Sequence, residues 1–231
     1  MSVYLQPRNP VSGLSKLIFP YTPQIDYSND VKWEAYSLTH TNYQTYGYNK
    51  TDNPNIGIQA KFSSHTTDHF ALSEYAIRFL RTYTKMNYGR SDPDRGQPPR
   101  ILRFFAHGTY VFNNVPVVIQ KFSMTFPEDV DYIRGTFNKS NKLVSDIQTV
   151  RRPDVSTQGN YGPNTDYTPD DYRDVRPPLV VNGVEEGSVI FLPSVFTINI
   201  SLLVQPNLYQ TVQEFSLEKF GTGAMASQGY I

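Results

Sequence analysis

The sequence predicts an α+β protein that is mainly β, with one flanking amphipathic helix at about 68–88 and long loops. Two observations carry this prediction: strand-like alternation over residues 115–126 and 195–204, and a single run with helical spacing that precedes both. A third is composition, because 17 Tyr and 14 Phe among 231 residues are typical of strands. We expect one domain over 1–231, with an N-terminal arm (1–30) and a long insertion loop (138–188).

The first sixty residues contain one clear strand. Pro20 and Pro23 exclude a helix in the arm, whose apolar island at 17–21 predicts one docking strand. Residues 31–50 have mixed periodicity, which indicates a strand and a polar loop. Residues 55–62 alternate cleanly and predict a half-buried strand.

The helix prediction is based on spacing and on its ends. Apolar residues recur with helical spacing from 72 to 86, which places them in one stripe. The run Thr66-Thr67-Asp68 supplies capping side chains before the helix. Gly89 stands where a C-terminal cap is expected. The sequence therefore predicts a helix over about 68–88.

A long strand follows a predicted hairpin. Residues 101–112 are typical of a strand, and Asn113-Asn114 predicts the turn into the next one. The apolar side chains of that next strand, 115–126, change face near Gln120-Lys121. We expect either a β-bulge there or a change of neighbouring strand.

The last third of the chain is uneven. Residues 138–188 are rich in Pro, Gly, Asp and Tyr, which predicts a long loop that becomes ordered against a partner. Residues 189–192 and 195–204 return to strand, the second with Phe196, Ile198, Ile200, Leu202 and Val204 on one face. The tail is expected to hold a short helix or strand before a Gly-rich end.

The composition and motifs favour no enzyme and no cofactor. The 21 Lys+Arg balance 21 Asp+Glu, which argues against a protein whose main role is to bind nucleic-acid phosphates. The sequence has no Cys, which excludes thiolate chemistry. His65 and His69 flank a helix start, so they are read as a polar cap, not a metal site. No nucleophile motif or phosphate-binding glycine loop occurs, and no run approaches a membrane span.

Five segments together resemble one family of virion proteins. They are LIFPYTPQI, THTNYQTYGYNKTDNPNIGIQAKFSSHT, YAIRFLRTYTKMNYG, FNNVPVVIQKFSMTFPEDVDYI and FTINISLLVQPNLY. In this order they resemble the baseplate and tail-tube-junction (tail tube initiator) proteins of contractile-tailed bacteriophages. The resemblance covers most of the chain, and 138–188 matches it weakly.

The resemblance implies a tail-tube-like fold, a two-sheet antiparallel β-sandwich or barrel, and a structural role in the virion, assembled in the host cytoplasm. It implies a hexameric ring that initiates or extends the tail tube, contacts the tube protein and the baseplate hub or other junction proteins, and leaves a channel for passing DNA. A strand of about twelve residues spans about 40 Å, which suits the height of a ring. A neutral or acidic polar lining is expected, because it lets DNA slide without binding. The candidate lumen or ring-surface residues are Gln120, Lys121, Ser123, Thr125, Thr197, Asn199 and Ser201.

A second hypothesis comes from a different class of protein. The chain would be a soluble β-sandwich that binds a glycan or peptide through Tyr-rich loops. The loop at 159–176 would be its binding surface, whereas in a ring the same loop would contact a neighbouring subunit. The candidate residues of this loop are Tyr161, Tyr167, Asp170, Asp171, Tyr172 and Arg173.

Overall fold

The computed structural model describes residues 2–11, 13–90, 94–136, 148–150 and 189–231. The predicted class is confirmed: the protein is α+β and mainly β, with antiparallel sheets. None of the sheets within these ranges closes into a barrel. The strands are β1 (Tyr4–Pro7), β2 (Leu17–Ile18), β3 (Gln24–Ser28), β4 (Val31–Tyr36), β5 (Thr45–Thr51), β6 (Asn55–Ser63), β7 (Leu102–Ala106), β8 (Phe112–Thr125), β9 (Tyr132–Thr136), β10 (Gln148–Val150), β11 (Val189–Pro193) and β12 (Val195–Val204).

The described strands form three sheets. The largest has seven strands in the order β2-β1-β7-β8-β12-β6-β3, and β4 pairs with β5 alone. A third sheet has the order β10-β9-β11. The described chain divides into two compact units, one formed by 1–62, 74–125 and 197–231 and the other by 63–73 and 126–196. The single tube-like domain over 1–231 stays a prediction.

In the first unit, one face of the seven-stranded sheet is the core side. Ile56, Ile58 and Phe62 in β6 are buried, and so are Ile198, Ile200, Leu202 and Val204 in β12. The alternation in the sequence therefore gave the correct buried face of both strands. The N-terminal residues contribute more than the one predicted strand, since β1, β2 and β3 all join this sheet.

The long strand β8 contains a bulge, which was one of the two alternatives predicted near Gln120-Lys121. Its pairing with β12 shifts register between Ser201 and Leu202, opposite Lys121 and Ile119, so Gln120 is the extra residue. Without an extra residue, the apolar side chains after it would have moved to the opposite face. The bulge restores the face: Ile119 lies opposite Leu202, and Phe122 lies opposite Ile200.

The predicted turn at Asn113-Asn114 is wrong. Both residues lie inside β8, and the β7–β8 connection is formed by residues 107–111. Two positive φ angles, 54° at His107 and 90° at Gly108, begin that connection. Asn114 also has a positive φ, 58°, and lies where the β7–β8 register shifts. The tolerance of Asn for left-handed backbone therefore serves a bulge and not a turn.

Helix α1 spans Thr67–Tyr83, so the predicted end near residue 88 is wrong. The amide of His69 donates to Thr66 Oγ1 at 3.3 Å, which confirms the predicted N-terminal cap. At the other end the chain turns away, because Asn87 exchanges backbone hydrogen bonds with Gly96 and Gln97. Gly89 is therefore not the helix cap.

Two further helices follow β12, of which the first was not predicted and the second lies in the tail, where a short helix or strand was expected. They are α2 (Leu208–Glu214), capped by the Asn207 side chain, and α3 (Leu217–Gly221), capped by Ser216. A 3₁₀ turn follows at Ala226–Gln228. None of the helices in the described ranges has the length and apolar character needed to span a bilayer.

The second unit is organised around β9. This strand pairs with β10 on one side and β11 on the other, and Phe126 packs against Phe196 with ring centroids 5.9 Å apart. Most of the predicted loop at 138–188 lies outside the described residues, except that Gln148–Val150 form β10.

Candidate functional site

The seven lumen candidates come together on one surface. Thr125 lies opposite Thr197, Ser123 opposite Asn199, and Lys121 opposite Ser201, in paired strands β8 and β12. All of these side chains are exposed or half-exposed. Gln120 joins them at the bulge, where Ser201 Oγ lies 3.3 Å from Gln120 Oε1.

The polar surface continues over two more strands than the sequence candidates covered. Ser201 Oγ also lies 3.1 Å from Asn55 Oδ1 in β6, and Asn55 lies opposite Ser28 in β3. We call this the polar sheet face, meaning the exposed side of β8 from residue 120 onward, β12, β6 and β3. Its additional members are Gln24, Asp26, Ser28, Asn55, Gln59 and Lys61.

The polar sheet face is close to electrically neutral. Its charged side chains are Lys61, Lys121 and Asp26, and most of the others are amides and hydroxyls, with Val195 and Leu203 as apolar members in β12. The reverse side of β12 and β6 belongs to the buried apolar core, whereas the reverse side of β3 and of this part of β8 is half-buried or exposed. The sequence signal for the missed residues was available, since the alternation that buries Ile56 and Ile58 also exposes Asn55 and Gln59.

The strands under this face end in two open edges. β3 is the terminal strand of the sheet on one side. On the other side, β7 pairs with β8 only as far as Val117, so residues 118–125 of β8 have no strand partner on that side among the described strands. Exposed sheet edges of this kind present unpaired backbone N–H and C=O groups to another chain.

The four strands between the edges alternate in direction. β8 and β12 are antiparallel, and so are β6 and β3. The amide of Val204, at the end of β12, donates to Pro54 O just before β6 begins, at 3.0 Å. If β3 of one copy met β8 of another, the pairing would again be antiparallel.

A second exposed surface lies on the β4–β5 hairpin, which the sequence analysis did not predict. Every residue of β4 is exposed. Trp33 lies opposite Tyr48, and Ala35 opposite Tyr46, so these side chains share one face, which we call the aromatic hairpin face. The Trp33 and Tyr48 rings meet edge to face at 5.7 Å.

The opposite side of the hairpin is polar. Asp52 Oδ2 lies 2.7 Å from Lys32 Nζ, and its Oδ1 lies 2.9 Å from Lys50 Nζ. These hydrogen bonds, first to Lys32 and then to Lys50, lower the pKa of the Asp52 carboxyl. Tyr36 covers Gly47, where an added Cβ would lie 2.6 Å from the Tyr36 ring. The two sides of the hairpin therefore differ, one being aromatic and the other carrying ion pairs, although neither side is buried.

The remaining sequence candidates divide into two groups. His65 precedes helix α1, and His69 on the helix lies with its Nδ1 3.0 Å from Ser63 Oγ, so the two imidazoles have separate structural positions. The loop candidates Tyr161, Tyr167, Asp170, Asp171, Tyr172 and Arg173 lie outside the described residues.

In sequence comparisons, no protein-family model and no curated protein matches this chain.

Proposed function

We propose that this chain is a structural virion protein of a contractile-tailed bacteriophage. Copies of it form a ring, a hexamer, at the junction between baseplate and tail tube. The ring initiates or extends the tube and leaves a channel for DNA. This proposal rests on the resemblance described above and on the physical properties of the polar sheet face and its two open edges. The chain acts in assembly, without catalysis.

The open edges are the observation that carries the proposal. Residues 118–125 of β8 and the outer side of β3 bound the same four strands that carry the polar sheet face. Pairing β3 of each copy with β8 of the next would continue one sheet from copy to copy. A sheet closed in this way has no exposed edges left.

The polar sheet face then lines the channel. Its two lysines and one aspartate, Lys61, Lys121 and Asp26, are spread among uncharged side chains. Duplex DNA binds surfaces on which cations release its counterions, so a lining with few cations lets it pass. The 14 residues of β8 span about 45 Å at about 3.3 Å per residue, enough to run through one ring and reach its neighbours.

The aromatic hairpin face supplies a second contact. A two-stranded hairpin alone in water is marginally stable, and the exposed side chains of Trp33, Tyr46 and Tyr48 are of the type enriched in protein interfaces. In the ring this face contacts a neighbouring copy, the tube protein or a baseplate protein.

Electron microscopy of the purified chain, and of tails that contain it, tests this proposal. We expect rings with a central channel, formed by the chain alone or on a baseplate. Deletion of 155–176 should impair docking to a neighbouring ring and leave the sheet intact. A chain that stays monomeric and never enters a tail-like particle would contradict the proposal.

A further inference from the structure

A groove in the first unit carries two arginines and no acidic side chain. Its volume is about 820 Å³, within the range of ligand-binding clefts. It is lined by strands β1, β7 and β8 together with residues 205–207 and 228–230. We call it the arginine groove, after Arg8 and Arg103. Among the described residues that line it, none is Asp or Glu.

Neither guanidinium group has a carboxylate partner in the part of the chain that the structure describes. Arg103 Nη1 donates to the carbonyl of Asn114 at 3.2 Å, and neither Arg8 nor Arg103 forms an ion pair within the described ranges. Partial burial lowers the pKa of Arg103, and the nearby positive charge of Arg8 lowers it further. Two close cations in a partly desolvated groove attract an anion, and guanidinium groups fit carboxylates especially well.

The remaining lining suits a peptide more than a small anion. The side-chain amides of Gln6, Gln205 and Gln228 both donate and accept hydrogen bonds, as peptide groups require. Phe105 and Pro116 add apolar surface. A groove of this size would be largely empty around a single phosphate or acetate ion.

The C-terminal wall of the groove is held close to β8. Gly229 has φ 87°, and an added Cβ there would collide with the Asn114 carbonyl and lie 2.8 Å from Pro116 Cδ. Only glycine permits this approach without displacement of the wall. The groove is therefore a formed feature of the fold.

A matching acidic surface occurs elsewhere on the same chain. Residues 127–131, Pro-Glu-Asp-Val-Asp, form a bend between β8 and β9 with Glu128, Asp129 and Asp131 exposed. The bend is braced at its base, because Tyr132 Oη donates to Pro127 O at 3.3 Å and Ser194 N donates to Asp131 O at 2.7 Å. It contains no lysine or arginine.

We propose that the arginine groove binds the acidic bend 127–131 of a second copy of this chain. The inference rests on the proposed ring and identifies one of its contacts. Because groove and bend are different surfaces, the contact is head-to-tail and repeats from copy to copy. Such contacts generate rings when the rotation between copies closes.

Charge reversal in the full-length chain tests this contact. Arg8→Glu and Asp129→Lys change exposed side chains, and Arg95→Glu is a matched control, since Arg95 is exposed and does not line the groove. We expect each of the first two variants to weaken self-association by about tenfold or more, measured by analytical ultracentrifugation at low salt. The control should leave self-association unchanged. Mixing the two variants should restore part of the lost association, because Glu at position 8 then meets Lys at position 129.

A peptide measurement separates this contact from the ring itself. The probe is an acetylated, amidated peptide of residues 125–133, titrated onto the wild-type chain and onto Arg103→Gln. We expect binding that falls about tenfold with Arg103→Gln and with the peptide changes D129N and D131N. Equal affinity for the peptide that carries D129N and D131N, or unchanged self-association of Arg8→Glu, would overturn the contact. If rings persist in Arg8→Glu, the contact between groove and bend is refuted and the proposed function is not. If the peptide binds but the chain forms no ring, the proposed function is refuted and the contact is not.

Discussion

The polar sheet face and the aromatic hairpin face are both exposed, yet they differ in what lies behind them. Behind Ser123 and Asn199 is a packed apolar core that includes Ile198 and Ile200. Behind Trp33, among the described strands, lies only the other side of a two-stranded hairpin. The first surface is stable without a partner, whereas the second exposes apolar rings that a partner would cover. The polar sheet face is therefore suited to line a channel, whereas the aromatic hairpin face is suited to bind another protein.

The largest expected effect is on the core under the polar sheet face. Ile200→Ala should lower the free energy of unfolding by about 2–5 kcal/mol, because Ile200 is only 3% exposed and its removal leaves a cavity. Leu203→Ala is the matched control: it removes a side chain of equal size from the half-exposed side of the same strand. Urea denaturation of both variants measures the difference. Equal losses would mean that the two sides of β12 are not distinguished as described.

A smaller effect on stability, with a change in DNA affinity, is expected on the polar sheet face. Ser123→Lys with Asn199→Lys places two cations directly opposite each other, which should cost about 0.2–1 kcal/mol. The same change should create affinity for duplex DNA at low salt that the wild-type chain lacks. Electrophoretic mobility shift measures the affinity, and Ser123→Gln with Asn199→Gln is the uncharged control. Strong DNA binding by the wild-type chain would contradict a passive lining.

On the aromatic hairpin face, loss of a ring should affect assembly and not folding. Trp33 is 59% exposed, so Trp33→Ala should change the free energy of unfolding of the monomer by no more than about 0.5 kcal/mol. Ring formation should decrease, as followed by light scattering. Tyr43→Ala is a control at an even more exposed aromatic side chain outside the paired strands, since Tyr43 is 87% exposed. A large loss of monomer stability in Trp33→Ala would show that the hairpin face is already packed.

The smallest effect concerns the ion pairs on the polar side of the hairpin. Because Lys32 and Lys50 lower the pKa of Asp52, the stabilising contribution of this carboxylate is present above its unfolded pKa of about 3.9. That contribution is lost as the pH falls through the lower folded value. The chain has 1 Trp, so Trp33 fluorescence reports on the hairpin during an acid titration. Asp52→Asn should remove the transition, and high salt should weaken it.

These two surfaces also show where sequence reasoning succeeds. The seven lumen candidates lie on one surface because β8 and β12 are more buried on one side than on the other, and such one-sided burial produces an apolar–polar alternation in the sequence. The irregularity at Gln120 was visible for the same reason. The apolar side chains of 115–126 change from one parity to the other near Gln120-Lys121, and the extra residue of a bulge returns them to the same face. The hairpin has no buried face, so the residues around Trp33 and Tyr48 show no such alternation. It depends on pairing between two segments, which periodicity within either one does not reveal.

The errors have a similar physical origin. Asn113-Asn114 is a good turn signal, but the same left-handed preference suits a bulge, and the pairing of β7 with β8 decides between them. Helix α1 ends before Asn87, because Asn87 forms backbone hydrogen bonds with Gly96 and Gln97 that a continued helix would not allow. In both cases a long-range contact overrides a correct local preference.

Disulfide cross-linking between copies tests the central claim, that β3 of one copy pairs with residues 118–125 of β8 in the next. The chain has no Cys, so single cysteines at Gln24, Asp26 or Ser28 can be combined with one at Lys121, Ser123 or Thr125 without background. Directly opposed side chains lie about 4.5–5.5 Å apart between Cβ atoms, within reach of a disulfide. The account predicts that at least one combination gives a ladder of covalent oligomers ending at a closed hexamer. Formation of monomers alone in every combination, in preparations that electron microscopy shows to contain rings, would contradict it.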